Sequence, residues 1–420
     1  MLLIRPFRGI VYNKEKIGDL SRVVAPPYDV ISPEEQNFYY QLHPFNIIRI
    51  ILGKEQKGDN SRENKYTRAA RFFREWLSSG ILKKEDVPSI YIYGQEYTVE
   101  GEKFKRKGFI ALMRLEEFGT GTVFPHEHIF PEPQQDRLSL MLNCRANLSA
   151  IFSFFADPSC EIDRLMEKSR LIYEFEDVEG IKHSLSAIRD QKMVNLICQI
   201  MQDKKIFIAD GHHRYFTALK LRDRLKRDSS SYVMMYFLNT ESSPVTILPV
   251  HRLIGGLRSD EFHKLIEGVK RFFYLERLGR ASEKKTEDDL KRRMLFKVKS
   301  TKNTIFGMYC REEGYSLLIP KDEVSFPKKV NSAILDDLVR GILGKNELEK
   351  GREIDFTTDV NLAIDKVREG KFQIAFFLAP VSVEQIKNVA LAGEKMPPKS
   401  TYFYPKLISG LVMRDLEDAV

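Results

Sequence analysis

Cysteines, long apolar runs and blocks of like charge are all scarce in this chain. Its four cysteines stand far apart, without the close pairs of a zinc site or any sign of a disulfide framework. The longest apolar run, residues 374–381, is far shorter than the ~20 residues of a membrane-spanning helix. Arg5 follows the first apolar residues so closely that no signal-peptide core fits. We therefore expect a soluble, cytoplasmic protein with no membrane partner.

Several familiar phosphate-handling motifs are also missing. The chain has no P-loop, no GxGxxG loop and no HRD or DFG motif of the protein kinases. The net charge is only +8, from 67 Lys and Arg against 59 Asp and Glu, and no block of five like charges occurs. We therefore expect no nucleic-acid partner. The modest positive charge permits an anionic ligand, and the missing motifs mildly favour one without an adenine ring.

What the chain does contain is an ordinary globular composition, with 43% hydrophobic and 30% charged residues. Strand and helix patterns alternate along it, which predicts a mixed α/β (α+β) fold with two lobes. After Gly255-Gly256 the pattern changes, and predicted helices alternate with short strands. We place the boundary there, with an N-terminal lobe at 1–256 and a C-terminal α/β lobe at 257–420.

Local patterns give more detailed expectations. Residues 62–80 read as a helix and residues 89–118 as a hairpin of alternating aromatic and polar residues. Residues 231–239 and 245–254 predict adjacent buried strands. The stretch 281–293 reads as a lysine-rich link.

The stretch IFIADGHHRYFTALKLRDRL, which begins at Ile206, predicts a strand that turns directly into a helix. A glycine at such a turn, here Gly211, lets the backbone approach a ligand. The free N–H groups and the positive dipole end of the following helix favour an anion. The turn therefore predicts an anion-binding site.

The side chains around this turn suit phosphoryl transfer. Arg214 presents a planar fork for phosphate oxygens, and His212 and His213 add donors that titrate near neutral pH. Asp210 is placed to accept a proton from an attacking hydroxyl. Backbone and side-chain donors that bind phosphate, an arginine that neutralises its charge and a general base are the parts of a phosphoryl-transfer site. The alternative is a helix-capping aspartate beside structural histidines.

The segment ADGHHRYFTAL resembles the phosphate-binding box of the ParB/sulfiredoxin-like superfamily. That group includes nucleotide-binding partition proteins, sulfiredoxin and kinases that phosphorylate free L-serine. The resemblance implies a ParB/sulfiredoxin-like core in the N-terminal lobe. From the residues themselves we expect Gly211, His212 and Arg214 to bind phosphate, with Asp210 and His213 as the catalytic pair.

A broader resemblance covers nearly the whole chain. It is to a bacterial family catalogued as a domain of unknown function, of the DUF1015 type. The segments that carry it are RPFRGIVYN, VVAPPYDVIS, VFPHEHIFPEPQQDRLSLM, ADGHHRYFTAL and MPPKSTYFYPKLISGLV. Members are similar to pyrophosphate-dependent serine kinases, which make O-phospho-L-serine, although some carry a phosphatase label.

Two of these segments suggest further phosphate or metal contacts. Pro125-His126-Glu127-His128 is a stiff turn that presents imidazoles and a carboxylate, and Arg137 lies downstream. We expect His126 and Arg137 to contact phosphate and Glu127 to bind a metal, with Mg²⁺ as the expected ion. The spacing does not match a helical zinc pair. The alternative is a buried polar network that braces a loop.

The remaining candidates lie near the two ends of the chain. Lys399, Ser400 and Thr401 follow two prolines, and a cation beside two hydroxyls suits a terminal phosphate. Tyr28 and Asp29 also follow two prolines and are candidates to hold the ammonium group of an amino acid. In each case the alternative is a structural turn.

The leading hypothesis is a phosphotransferase that acts on free L-serine, with pyrophosphate or a nucleotide as donor and Mg²⁺ as cofactor. The first alternative is a phosphatase on O-phosphoserine or a similar small phosphoester. The second is a ParB-like nucleotide- or DNA-binding regulator, which would need a helix-turn-helix and a basic stripe that the sequence lacks. The oligomeric state is left open.

Overall fold

A computed structural model of the chain describes residues 1–119, 121–128, 131–280, 284–301, 304–324, 326, 329–344 and 354–418. Its contacts group into two compact units. The first comprises Met1–Pro125, Ile129–Val245 and Pro405–Val420, and the second comprises His126–His128 and Thr246–Tyr404. The division at residue 256 stays a prediction, and each unit is described by itself below.

The strands, in chain order, are β1 (Ile4–Arg5), β2 (Ile10–Tyr12), β3 (Leu82–Lys84), β4 (Ile90–Val99), β5 (Glu102–Arg114), β6 (Val123–Phe124), β7 (Ala146–Asn147), β8 (Ile151–Phe155), β9 (Arg170–Glu176), β10 (Lys182–Ile188), β11 (Ile206–Asp210), β12 (Tyr232–Asn239), β13 (Thr246–Leu248), β14 (His251–Ile254), β15 (Phe273–Gly279), β16 (Phe306–Cys310), β17 (Gly314–Pro320), β18 (Ile354–Thr357), β19 (Ile374–Phe377), β20 (Tyr402–Tyr404) and β21 (Arg414–Asp415).

The helices are α1 (Lys14–Ile17), α2 (Pro33–Leu42), α3 (Ile48–Ile51), α4 (Lys65–Ser78), α5 (Pro131–Cys144), α6 (Glu161–Met166), α7 (Gln191–Met201), α8 (His212–Leu225), α9 (Ser259–Phe272), α10 (Lys284–Ser300), α11 (Asn331–Leu343), α12 (Val360–Arg368) and α13 (Val383–Leu391). Helices and strands thus alternate in both units, and the predicted mixed α/β fold class is confirmed.

The first unit is built on a nine-stranded mixed sheet. Its order is β6-β11-β8-β12-β5-β4-β10-β9, with β1 beside β5. The pairs β11–β6 and β12–β8 are parallel and the other pairs are antiparallel. Buried residues of β11 and α8, including Ile206, Ile208, Tyr215 and Leu219, lie in one hydrophobic core. This packing fixes the direction in which the strand turns into the helix.

The second unit is built on a six-stranded antiparallel sheet of order β15-β17-β16-β19-β14-β18. Two hydrophobic clusters pack in this unit. One includes Leu265 of α9 and Leu335 of α11, and the other includes Met294 of α10 and Ile364 of α12. β13 and β20 form a separate antiparallel pair.

Several local predictions are confirmed. The helix expected over 62–80 is α4, whose N-cap Asn64 accepts hydrogen bonds from the N–H groups of Tyr66 and Thr67. The hairpin expected over 89–118 is β4–β5, in continuous register from Tyr91 opposite Ile110 to Val99 opposite Glu102.

Two local predictions are wrong. The segments 231–239 and 245–254 are not adjacent strands, because β12 pairs with β5 and β8 whereas β14 pairs with β18 and β19. The supposed link over 281–293 lies largely in α10, and its residues 281–283 are outside the described residues. Leu290, Met294 and Val298 recur at intervals of four and are buried, so an apolar stripe underlies the lysines.

Candidate active site

The turn between β11 and α8 is shaped by its glycine. Gly211 has φ +95°, in the left-handed region, and the helix begins at His212. A Cβ atom at this position would lie 2.9 Å from Nε and Nη2 of Arg214. A side chain at this position is disfavoured for two reasons. The left-handed backbone conformation favours glycine, and the guanidinium of Arg214 occupies the space that a Cβ atom would need.

We expect Gly211→Ala to lower the free energy of unfolding by about 1–3 kcal/mol and to displace Arg214. Gly58→Ala is the matched control, because Gly58 has φ +99° but a Cβ atom added there would meet nothing within 4 Å. Chemical denaturation measures both variants. Equal losses in the two would show that contact with Arg214 contributes nothing.

Asp210 is the electrostatic centre of the turn. Its Oδ1 lies 2.8 Å from Nζ of Lys406, and its Oδ2 lies 3.0 Å from Nη2 of Arg214. The three side chains are 11–18% exposed. Burial by itself raises the pKa of Asp210, but the two cations outweigh it and hold the pKa well below its usual range. The carboxylate is therefore ionised at neutral pH.

This low pKa makes stability depend on pH. The folded-state pKa of Asp210 lies below its ordinary value of 3.8, so its stabilising effect is present above about pH 4 and is lost as the pH falls through the folded pKa. We expect Asp210→Asn to be less stable than the parent by on the order of 2 kcal/mol at pH 7. Denaturant titrations from pH 7 to pH 3 should show that the difference in unfolding free energy between the parent and Asp210→Asn narrows only below about pH 4. A constant gap would contradict the ion pairing.

Arg214 ties the turn to the segment before β8. Its Nη1 donates to Oγ of Ser149 at 3.1 Å and to the carbonyl of Ala150. Together with the bond to Asp210, one guanidinium therefore serves three oxygen acceptors. Of the neighbouring histidines, His212 is buried and His213 is half-buried, and the carbonyl of His213 accepts a hydrogen bond from Thr217.

A second arginine stands in the same unit. The guanidinium carbon of Arg137 lies 3.7 Å from the ring centre of Tyr28, and Arg137 also donates to Asp136 and to the carbonyl of Ile51. Burial and the charge of Asp29 raise the pKa of Tyr28 to about 12, against the lowering effect of Arg137 and Arg214. Tyr28 is therefore a neutral hydroxyl at pH 7, beside an exposed Asp29.

A cavity of about 50 Å³ connects these groups. Arg137 and Arg214 contribute its charged groups, and Tyr28 contributes a phenol hydroxyl. The rest is lined by Ile51, Leu140, Met141, Ala146, Asn147, Leu148, Ser149, Ile151, Val233 and Ser409. Tyr28, Arg137 and Arg214, which belong to three distant stretches of sequence, thus line a single cavity.

The other predicted residues lie in the second unit, in the segments 126–127 and 399–401. These two segments contact each other and are called the turn of the second unit below. Nε2 of His126 lies 3.3 Å from Oγ1 of Thr401, and Glu127 accepts a hydrogen bond from the N–H of Lys399 at 2.7 Å. Lys399 has φ +58° and is exposed. His126 is fully buried, and Ser400 bonds to Pro397 and Ser332.

These contacts separate the members of the second turn by accessibility. Lys399 and Thr401 are open to solvent to some degree, whereas His126 and Ser400 are engaged inside the turn. Within the described residues, no group of three or more His, Cys, Asp or Glu side chains is placed to hold a metal ion. The phosphate and metal roles of this turn stay predictions.

Two charged residues were missed at the sequence level. Lys406 lies in the family segment MPPKSTYFYPKLISGLV, from which the sequence analysis selected Lys399 instead. The sequence signal for Lys406 is a proline-lysine pair directly after a strand. Arg252 is buried in the second unit and donates to the carbonyl of Lys399 at 2.9 Å. A lone arginine in a strand carries no such signal.

The family described as "Protein of unknown function (DUF1015)" matches residues 4–339, about four fifths of the chain. The chain therefore belongs to this family. No curated protein matches it. Within the described residues, no helix has the length and apolar character needed to cross a membrane.

Solved structures give more distant likenesses. A free serine kinase in complex with AMP is 13% identical, with a TM-score of 0.35 over 67% of this chain and 83% of that one. A conserved hypothetical protein from Pyrococcus furiosus is 14% identical, with a TM-score of 0.36 over 71% and 94%. SbnI from Staphylococcus aureus, with a C-terminal truncation, is 10% identical, with a TM-score of 0.37 over 71% and 84%.

Proposed function

We propose that the chain is a small-molecule phosphotransferase that phosphorylates free L-serine with pyrophosphate as donor. The observation that carries the proposal is the Asp210 carboxylate, at the end of β11 and just before α8, held between Arg214 and Lys406. Two cations, a left-handed glycine and a helix N-terminus gathered at one point suit a phosphoryl group. The likeness of the family to pyrophosphate-dependent serine kinases supports serine as the acceptor.

The reaction forms a bond between the serine oxygen and phosphorus and breaks the bridging P–O bond of pyrophosphate. O-phospho-L-serine and orthophosphate are the products, and the hydroxyl proton leaves with a base. Arg214 and Lys406 neutralise the oxygens of the transferred group, and the N–H groups at the start of α8 add donors. In this proposal His212 and His213 complete the cradle.

Asp210 is the proposed acceptor of the hydroxyl proton. Its lowered pKa keeps it ionised and able to accept a hydrogen bond from serine, although it is a weak base in that state. Phosphoryl transfer through a loose transition state places little demand on the base until the new P–O bond has formed. The serine oxygen is then far more acidic, so the proton moves late.

Asp29 and two residues that line the cavity, Tyr28 and Arg137, are proposed to hold the amino acid. The exposed carboxylate of Asp29 suits the ammonium group, and the guanidinium of Arg137 suits the carboxylate of serine. Tyr28, neutral at pH 7, offers a hydroxyl hydrogen bond.

The turn of the second unit is proposed as a further phosphate-binding element. Lys399 and Thr401 present a cation and a hydroxyl, and Ser400 and His126 brace them. Glu127 supplies one carboxylate, which fits Mg²⁺ because that ion is commonly held by one or two carboxylates and the phosphates of the substrate. When bound, Mg²⁺ neutralises phosphate charge.

Phosphorus NMR tests the proposal. The protein is incubated with L-serine and Mg²⁺ and, in separate tubes, with pyrophosphate, ADP or ATP; a further tube holds O-phosphoserine alone. The expected result is a phosphoserine signal that grows only with pyrophosphate. Growth with ADP or ATP would make a nucleotide the donor. Release of orthophosphate from phosphoserine alone, without synthesis in any tube, would replace the kinase with a phosphatase.

A further inference from the structure

The segment Pro405–Ser409, which contains Lys406, is held in the first unit by hydrogen bonds from buried side chains of β4 and β5. Ser409 is bridged to Ala25 through both backbone hydrogen bonds. The side chain of Lys406 leaves this segment to meet Asp210. A lysine has a flexible four-carbon stem, so its ammonium group occupies one place only if its backbone is fixed.

Two side chains fix the backbone on either side of Lys406. Gln95 of β4 donates through Nε2 to the carbonyl of Lys406 at 2.9 Å, and Arg106 of β5 donates through Nη2 to the carbonyl of Pro405 at 2.6 Å. Arg106 also donates to Oε1 of Gln95. Gln95 and Arg106 are direct cross-strand partners and are 0–1% exposed.

The cross-strand row that contains Arg106 and Gln95 continues on the neighbouring strand β10. His183 of β10 is the cross-strand partner of Gln95, and its Nδ1 lies 2.8 Å from the hydroxyl of Tyr93. Nε2 of His183 lies 2.8 Å from Oδ2 of Asp177. Polar groups buried this deeply are costly unless they are paired, and Gln95 and Arg106 find partners in the segment that contains Lys406.

We propose that Gln95 and Arg106 are positioning residues that act through Lys406. They hold the carbonyls of residues 405 and 406 so that the ammonium group of Lys406 stands at the phosphate site. The proposal rests on the phosphate-binding role given to Arg214 and Lys406 above. It extends the functional site to two residues that touch neither Asp210 nor the phosphate.

A double-mutant cycle separates positioning from general support of the fold. Gln95→Met removes the donor to the Lys406 carbonyl, and we expect the affinity for inorganic pyrophosphate to fall about tenfold. In a Lys406→Met background the same change should cause no further loss. Isothermal titration calorimetry with pyrophosphate gives all four affinities. Losses that simply add would overturn the proposal.

Asn239→Leu is the matched control. Asn239 is a buried amide of β12 that bonds to the backbone of Asp157, away from residues 405–409, so it loses similar bonds without touching the segment. We expect unchanged pyrophosphate affinity in this variant. If Gln95→Met fails to fold, Gln95→Glu replaces it, because the carboxylate keeps the bond from Arg106 and loses only the donor to Lys406.

Amide hydrogen exchange provides a readout that does not depend on the reaction. The N–H of Ser409, which donates to the carbonyl of Ala25 at 2.8 Å, should exchange at least several-fold faster in the Gln95 variant and at the parental rate in Asn239→Leu. Unchanged exchange would overturn the proposal. If serine is not phosphorylated at all, the proposed function fails, but pyrophosphate binding and exchange still decide whether Gln95 positions Lys406.

Discussion

Asp210→Asn is expected to lower kcat for serine phosphorylation at least ~10²-fold, because loss of a positioned general base typically costs that much. The change also removes the negative charge that holds Arg214 and Lys406 together, so both cations lose their shared partner. Steady-state kinetics with serine and pyrophosphate measure the effect. Far-UV circular dichroism shows whether the variant remains folded.

Asp157→Asn is the matched control for that experiment. Asp157 is a buried carboxylate of the first unit that pairs with Lys204 at 2.9 Å and also bonds to Ser159. It has similar surroundings but no contact with the turn of Asp210. We expect lower stability and a nearly unchanged kcat. Normal turnover by Asp210→Asn would show that the assigned site is wrong, and an equal loss in both variants would show that the loss reflects folding.

The local shape of the site was accessible from sequence. A β-branched run followed by Asp-Gly and an amphipathic pattern predicted a strand, a turn and a helix, and the structure has β11, Gly211 and α8 in that order. The reason is that such signals depend on neighbours within about ten residues. The helical periodicity of apolar residues in the same stretch also predicts that Tyr215 and Leu219 of α8 face the core, where the structure has them.

The charge partners of the site were not accessible in the same way. Lys406 lies 196 residues from Asp210 along the chain, and no local period connects them. The pairing depends on a C-terminal segment that returns to the first unit after the second unit has been completed. Gln95 and Arg106 have the pattern of ordinary polar positions of a hairpin, because their acceptors belong to that returning segment.

Burial was a further property that residue type did not reveal. His126 and Ser400 are candidates because of their hydrogen-bonding groups, yet His126 is fully buried and Ser400 donates its hydroxyl to Pro397. Sequence shows which groups are present in a turn but not which of them face inward. That choice depends on residues from other elements that contact the turn, such as Arg252 of β14, which donates to the carbonyl of Lys399.

Arg214→Lys is expected to lower kcat/KM about 10²-fold, although the charge is kept. The guanidinium reaches Asp210, Ser149 and the carbonyl of Ala150 at once, and a single ammonium group has no planar fork with which to do so. An ammonium group that keeps one of these contacts does not hold donors at the transferred phosphoryl group as the fork does, and loss of one positioned donor typically costs about 10²–10³-fold in rate.

Arg222→Lys is the control on the same helix. Arg222 pairs with Glu117 and Asp223 near the surface of α8, where an ion pair contributes little and either cation suffices. Kinetics at several pyrophosphate concentrations distinguish binding from transfer. A rise in KM alone would mean that Arg214 binds the donor equally in the ground and transition states, whereas a fall in kcat would mean that its fork matters most as the phosphoryl group moves. An Arg214→Lys enzyme as active as Arg222→Lys would remove the guanidinium from the mechanism.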